Sequence, residues 1–135
     1  MPRYDTHHES VKRALEKDGW AITADPFIID LGKTRMYADL GAEKSIRLIV
    51  VEIKTFIGDS FINELHRATG QYMNYRSLIR QTSEQYEVFL AVPLQIYKKY
   101  FGQHYVQVIL KDLQIKLVIF DSEQEVITEW IQQQN

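Results

Sequence analysis

The sequence predicts an α/β (α+β) domain in which a mixed central β-sheet is flanked by helices. Two observations carry this. Apolar residues recur at helical spacing in "DSFINELHRATGQYMNYRSLIRQ", whereas "LIVVEI" and "VFLAV" are apolar on both faces, as central strands are. Helix and strand patterns also alternate along the chain, which favours helices packed on a sheet over separate all-helical and all-strand units. The 135 residues, 45% hydrophobic and 25% charged, fit one domain over residues 1–135, with no linker, repeat or low-complexity tract.

Taken in order, Asp5 or Thr6 can cap a helix running to about Asp18, with His8, Val11, Ala14 and Leu15 on one face. "DGW" ends it. "WAITADPFIIDL" reads as a short strand, a proline bend and an edge strand, followed by the turn residues "GK". "TRMYADL" and "SIRLIVVEIKTF" read as an antiparallel hairpin joined by the turn "GAEK". Asp59 or Ser60 caps a long helix that places Phe61, Leu65, Ala68, Tyr72 and Ile79 near helical spacing. "YEVFLAVP" is a buried strand, "QIYKKYF" a short helix, "HYVQVILKDL" a further helix and "IKLVIFD" a strand. "SEQEVITEWIQQQ" reads as a C-terminal helix with Val126, Ile127 and Trp130 facing inward.

Composition removes several classes of function. Without cysteine there is no disulfide, zinc finger or thiol nucleophile, so any metal must be held by oxygen or imidazole. A formal charge of -2 gives no global basic field for non-specific nucleic-acid binding. No stretch approaches the roughly 20 apolar residues of a membrane span, and "MPRYDTHHES" lacks the apolar core of a secretory signal. The expectation is a cytoplasmic protein with no membrane partner.

One strand carries charges it has no structural need for. In "LIVVEIKTF", Glu52 and Lys54 are two residues apart and so share a face, while Val51 and Ile53 point the other way. Ionised groups are costly to bury without a partner or an ion. If Asp39 pairs opposite Glu52, the hairpin closes around residues 44 to 47 and the two carboxylates lie together; a slip of one residue separates them. Two carboxylates with the Ile53 carbonyl offer hard oxygen ligands for Mg²⁺ or Mn²⁺. With the Lys54 ammonium beside them, that set suits phosphodiester hydrolysis.

Asp39, twelve intervening residues, then Glu52-Ile53-Lys54 resembles the Asp...Glu-x-Lys signature of the restriction-endonuclease-like, PD-(D/E)xK, superfamily. In "GQYMNY", Gln71 and Tyr75 resemble the Gln-x-x-x-Tyr motif that some branches carry on the next helix, with Gln71 orienting the site. Glu9 matches a position where several branches place a further acidic residue, and His8 beside it is within reach as an accessory group. Over nearly the whole chain, "HESVKRALEKDGWAITADP", "ADLGAEK", "VVEIKTFIG", "GQYMNYR", "LAVP" and "LVIFD...VITEWI" resemble the XisH family, the fdxN element excision controlling factors. That resemblance implies an endonuclease-like fold, a role in programmed excision of a DNA element, and three partners: DNA, an XisI-like protein and a site-specific recombinase. The catalytic set it implies is Asp39, Glu52, Lys54 and Gln71, and many nucleases of this class act as homodimers.

Each assignment has a plain structural counterpart. Glu52 and Lys54 can form a simple salt bridge, and Asp39 can begin a turn. Gln71 fits a helix surface, Tyr75 a packed ring, Glu9 a solvated first-turn acid and His8 a satisfied half-buried histidine. Arg67, Arg76, Arg80, Lys98 and Lys99 can line a DNA path or form solvated faces. The aromatic side chains of Tyr97, Tyr100, Phe101 and Tyr105 suit base stacking or inter-helix packing.

Overall fold

The computed structural model describes residues 7–58, 60–82 and 85–133. Its elements are α1 (His7–Lys17), β1 (Ala21–Ala24), β2 (Phe27–Asp30), β3 (Arg35–Ala38), β4 (Leu40–Lys44) and β5 (Arg47–Ile53), then α2 (Phe61–Ile79), β6 (Tyr86–Pro93), α3 (Leu94–Tyr100), α4 (His104–Asp112), β7 (Leu117–Asp121) and β8 (Val126–Ile131). Six strands form one mixed sheet in the order β1-β4-β5-β6-β7-β8, and β2 and β3 form a separate two-stranded ribbon. This is the mixed α/β architecture expected, a central sheet flanked by helices, and it is consistent with a restriction-endonuclease-like core. No helix among the described residues is long and apolar enough to cross a membrane.

The pairing explains the layers. Strands β5, β6 and β7 run parallel, so each link between them must cross over a face of the sheet. Crossovers of one hand that step in one direction fall on the same side. Accordingly α2 and α4 both cover the face bearing Val50, Val88, Leu90 and Val92, through Leu65, Ala68, Tyr72, Val106 and Leu110. The other face, with Ile49, Val51, Ile53, Phe89 and Val118, is covered by Val11 and Leu15 of α1. The face predicted for α1 is the face it buries: His8, Val11, Ala14 and Leu15 are all buried. Asp5 and Thr6, its predicted caps, lie outside the described residues, as does Asp59. Ser60 does cap α2, its side chain accepting from the Asn63 amide at 3.3 Å.

Tyr72 fastens α2 to the sheet. Its ring is 1% exposed, and its hydroxyl donates to the Val88 carbonyl (2.8 Å) and accepts from the Lys116 amide (3.1 Å), joining β6 to the residue before β7. Removing the hydroxyl leaves both backbone groups unpaired. Tyr72→Phe is therefore expected to cost about 1–3 kcal/mol in urea denaturation, with little change in the denaturant slope.

Three predicted elements are wrong. "GAEK" is not a turn: Gly41, Ala42, Glu43 and Lys44 belong to β4, which pairs with β5 from Leu40↔Val51 to Lys44↔Arg47. The two-residue turn falls instead at Ser45 and Ile46, with Ser45 at φ 55. Glycine is needed at position 41 for close approach, because a Cβ there would lie 2.8 Å from the Phe27 ring. The stretch before Asp39 also does not continue the same strand, since β3 pairs with β2 from Phe27↔Ala38 to Asp30↔Arg35. The register around residues 44 to 47 is nevertheless the one that sets Asp39 opposite Glu52.

The C-terminal helix is also absent. Residues Val126–Ile131 form strand β8, antiparallel to β7. Val126, Ile127, Thr128 and Ile131 are β-branched, a composition that favours strand over helix, and β7 would otherwise be an open edge. Asp121 makes the reversal by accepting from the Glu123 and Gln124 amides at 2.9 and 3.0 Å. Ile127 and Trp130 do pack inward, the Trp130 ring lying 5.0 Å from Phe89 and 5.6 Å from Trp20 between centroids.

Candidate functional site

Asp39 occupies the single residue between β3 and β4, where the chain leaves the ribbon and enters the main sheet. Extending the β4–β5 register by one position sets it opposite Glu52. The two side chains are held by reciprocal bonds to backbone. The Asp39 amide donates to Glu52 Oε1 at 3.1 Å, and the Ile53 amide donates to Asp39 Oδ2 at 2.8 Å. Each acidic group is thus fixed by the strand that carries the other. The N–H and C=O of one strand residue point to the same side, so the Ile53 carbonyl faces the side on which Asp39 stands. Lys54 Nζ lies 3.7 Å from Glu52 Oε2, and the Lys54 amide donates to the Ala91 carbonyl of β6 at 3.0 Å.

Burial dominates the electrostatics. Glu52 is 6% exposed, and its carboxyl is pushed up to about 8, first by loss of hydration and then by the neighbouring Asp39 charge; Lys54 pulls it back. Asp39 is raised for the same first reason, opposed by the Ile53 amide and by the positive charges of His8 and Lys54. Two crowded carboxylates with a single ammonium are short of positive charge, a state that favours binding of a cation.

Helix α2 supplies the roof. The Tyr75 hydroxyl donates to the Tyr37 carbonyl of β3 at 3.0 Å, tying the helix to the strand that leads into Asp39. Its phenol is pushed up to about 12 by burial and by the charges of Glu52 and Asp39. Gln71 stands one turn earlier on the same helix face, and its Oε1 is buried without a hydrogen-bond partner among the described residues. A buried acceptor left in this state is destabilising unless an ion or water meets it.

The other sequence candidates lie elsewhere. His8 is buried and its Nε2 lies 2.8 Å from Asp25 Oδ1, while its charge acts on Asp39. Glu9 is exposed, 3.8 Å from Lys12 Nζ and 3.9 Å from Arg13 Nη1; with His8 and Asp25 it forms a second cluster of possible ligand atoms within 4.8 Å, in which Lys12 Nζ sits 2.8 Å from Asp25. Arg67 is exposed and paired with Glu64 at 2.6 Å. Arg76 is committed to structure, donating to the Leu113 and Gln114 carbonyls and lying over the Tyr72 ring. The aromatic group at the α2–α3 junction packs on itself, Phe61 stacked on Tyr100 at 4.3 Å. Asp25 escapes notice in the sequence, where the Asp-Pro pair signals only a bend; the pairing of His8 with it emerges only when α1 folds across β1.

The fold and this geometry can be set beside known proteins. The model of the family described as XisH protein matches residues 1–128. The crystal structure of an XisH family protein from Nostoc punctiforme superposes with a TM-score of 0.89 at 42% identity, covering 94% of this chain and 99% of that one. That of an fdxN element excision controlling factor protein from Anabaena variabilis gives 0.88 at 42% identity, covering 95% and 99%. Among curated proteins no match is found. With the match running through nearly the whole length, this chain belongs to the XisH family.

Proposed function

We propose that this chain is a DNA-processing factor in the excision of a DNA element, with a metal-dependent phosphodiester hydrolysis site of the PD-(D/E)xK type. The role in excision follows the similar protein from Anabaena variabilis, an fdxN element excision controlling factor protein. The chemistry rests on one observation: the buried Glu52 carboxylate and the half-buried Asp39 carboxylate, each held by an amide of the other's hairpin arm, lie beside a lysine ammonium. The donor set fits Mg²⁺ or Mn²⁺, with Asp39, Glu52 and the Ile53 carbonyl as the residues that would hold the ion. Such an ion supplies Lewis acidity and lowers the pKa of bound water.

The residues themselves do the rest. Lys54 presents an N–H donor and a positive charge where negative charge develops on a phosphate oxygen. Gln71, one turn from Tyr75 on the same face of α2, offers a buried amide oxygen that has no partner among the described residues. The bond from Tyr75 to Tyr37 holds α2 against the strand leading to Asp39, which limits the freedom of the whole set. DNA is the substrate on this reading, with an XisI-like protein, a site-specific recombinase and a second copy of the chain as further partners.

Calorimetric titration of Mn²⁺ into the wild type and Glu52→Gln tests the proposal, with both assayed on supercoiled, linear and branched DNA. The expected result is binding and nicking by the wild type, both lost in the variant. A wild type that takes up no Mn²⁺ and nicks none of the three DNAs sinks the hydrolytic reading. A non-catalytic accessory role is the second reading, favoured by the occupied state of Glu52: Oε1 accepts from Asp39, and Oε2 faces Lys54.

A further inference from the structure

A cavity of about 310 Å³ lies at the end of the sheet where the parallel strands begin, opposite the end that carries Lys54. It gathers Tyr72 and Arg76 from the second half of α2, Arg80 just beyond that helix, Tyr86 and Glu87 from the start of β6, and Lys116 from the position before β7. In the register of β5 with β6, Glu87 stands beside Ile49 and Glu52 beside Leu90, so roughly 10 Å of strand separates the two acids. Asp39, Glu52 and Lys54 take no part in the lining.

The lining is short of negative charge. Three cations, Arg76, Arg80 and Lys116, stand against the single carboxylate of Glu87, in a chain whose formal net charge is -2. That carboxylate is already taken: Arg47 holds it through Nε at 2.9 Å and Nη2 at 3.2 Å, and Lys116 Nζ lies 3.2 Å from Oε1. Neither Arg76 nor Arg80 has a carboxylate partner among the described residues. Arg76 is instead fixed in place, Nη1 donating to the Leu113 and Gln114 carbonyls at 2.8 and 3.0 Å and the guanidinium lying over the Tyr72 ring. Its Nε gives an independent sign of a ligand. That atom is buried with no hydrogen-bond partner among the described residues, and a charged donor left in this state is costly unless an acceptor reaches it. A hollow with an excess of one sign of charge also focuses its field and draws in counter-ions.

We propose that this cavity binds a phosphate group, at a site separate from Asp39, Glu52 and Lys54. Guanidinium and ammonium groups around one hollow suit a tetrahedral dianion, which presents oxygens in several directions, better than a planar carboxylate with two. The volume lies at the small end of ligand pockets and admits a phosphate with a small substituent. That phosphate belongs either to a small molecule or to the backbone of a nucleic-acid strand lying across the mouth of the cavity; the chemistry of capture is the same. The site does not depend on the hydrolytic reading of the carboxylate pair.

Calorimetric titration of inorganic phosphate in EDTA, which keeps metal-held phosphate out of the measurement, tests it. Saturable binding by the wild type is expected, weakened about tenfold or more in Arg80→Gln and in Lys116→Gln. Lys33→Gln, which removes an exposed lysine between β2 and β3, should leave it within about twofold. Thermal melting checks that the variants fold; Arg80 is exposed, so its variant decides if Lys116→Gln does not. Anisotropy of a labelled DNA duplex then separates the two sources. Duplex affinity that falls in Arg80→Gln, with phosphate competing in the wild type, assigns the site to a backbone phosphate; duplex affinity that is unchanged, or absent throughout, assigns it to a small phosphate compound. No saturable uptake of phosphate by the wild type, or equal affinity in folded Arg80→Gln, overturns the site and leaves the reading of Asp39, Glu52 and Lys54 untouched.

Discussion

Lys54→Ala is expected to lower the rate of DNA nicking by about 10²- to 10⁴-fold, the range found when a charged or hydrogen-bonding group aimed at a developing negative charge is removed. Its effect on cation binding should run the other way. The Lys54 ammonium is 3.7 Å from Glu52 and lowers the proton affinity of both carboxylates, so it also repels any other cation that approaches them. Without it, Mn²⁺ affinity should hold or rise. Rate lost with affinity retained marks Lys54 as a group acting on the reacting phosphate; both lost together marks it as a structural counter-ion. Excision that persists with Lys54→Ala, in cells carrying the recombinase and an XisI-like partner, favours the accessory reading instead.

The second large effect is on stability against pH. Glu52 moves from the ordinary 4.5 of a glutamate to about 8 in the folded protein, so between those values the folded state holds a proton that the unfolded state releases. Stability then falls as pH rises, from full below about 5 to its minimum above about 9. A shift of this size corresponds to something on the order of 4–5 kcal/mol, and Asp39, raised in the same direction, adds to the slope. Asp25 and Glu87 act oppositely: their pKa values are lowered by Lys12 and His8, and by Arg47 and Lys116, so their contributions disappear only as pH drops below the ordinary carboxylate range. Denaturant melts of the metal-free protein should therefore show a maximum near pH 5. Glu52→Gln should flatten the alkaline side and make the protein more stable than wild type at pH 9. A wild-type profile that is level from pH 5 to 9 would show that burial does not raise Glu52.

Much of this molecule was legible in its sequence because periodicity and register are local. The face of α1, the Ser60 cap of α2 and the buried strands at β5 and β6 each follow from spacing that tertiary structure only confirms. The pairing of Asp39 with Glu52 was legible for a related reason: only one register buries the apolar side chains of β4 and β5 on the same face. What misled was competition between elements. Glycine and acid in "GAEK" read as a turn, yet Gly41 serves a close contact with Phe27, a residue far enough away in sequence to leave no local trace. At the C-terminus, the helical spacing of Val126, Ile127 and Trp130 lost to the unpaired edge of β7, which exists only once the sheet is built. The contact between His8 and Asp25 is likewise a product of assembly.

The reciprocal bonds between Asp39 and Glu52 also tie chemistry to folding history. The two acids stand on opposite arms of one hairpin, each oriented by an amide that belongs to the other arm or its continuation. A chain still emerging from the ribosome carries both residues but no site, and a chain that misregisters by one position carries them on opposite faces. Whatever reaction this constellation performs is therefore silent in nascent, mispaired or unfolding molecules: the correctly zipped hairpin is its own safety catch.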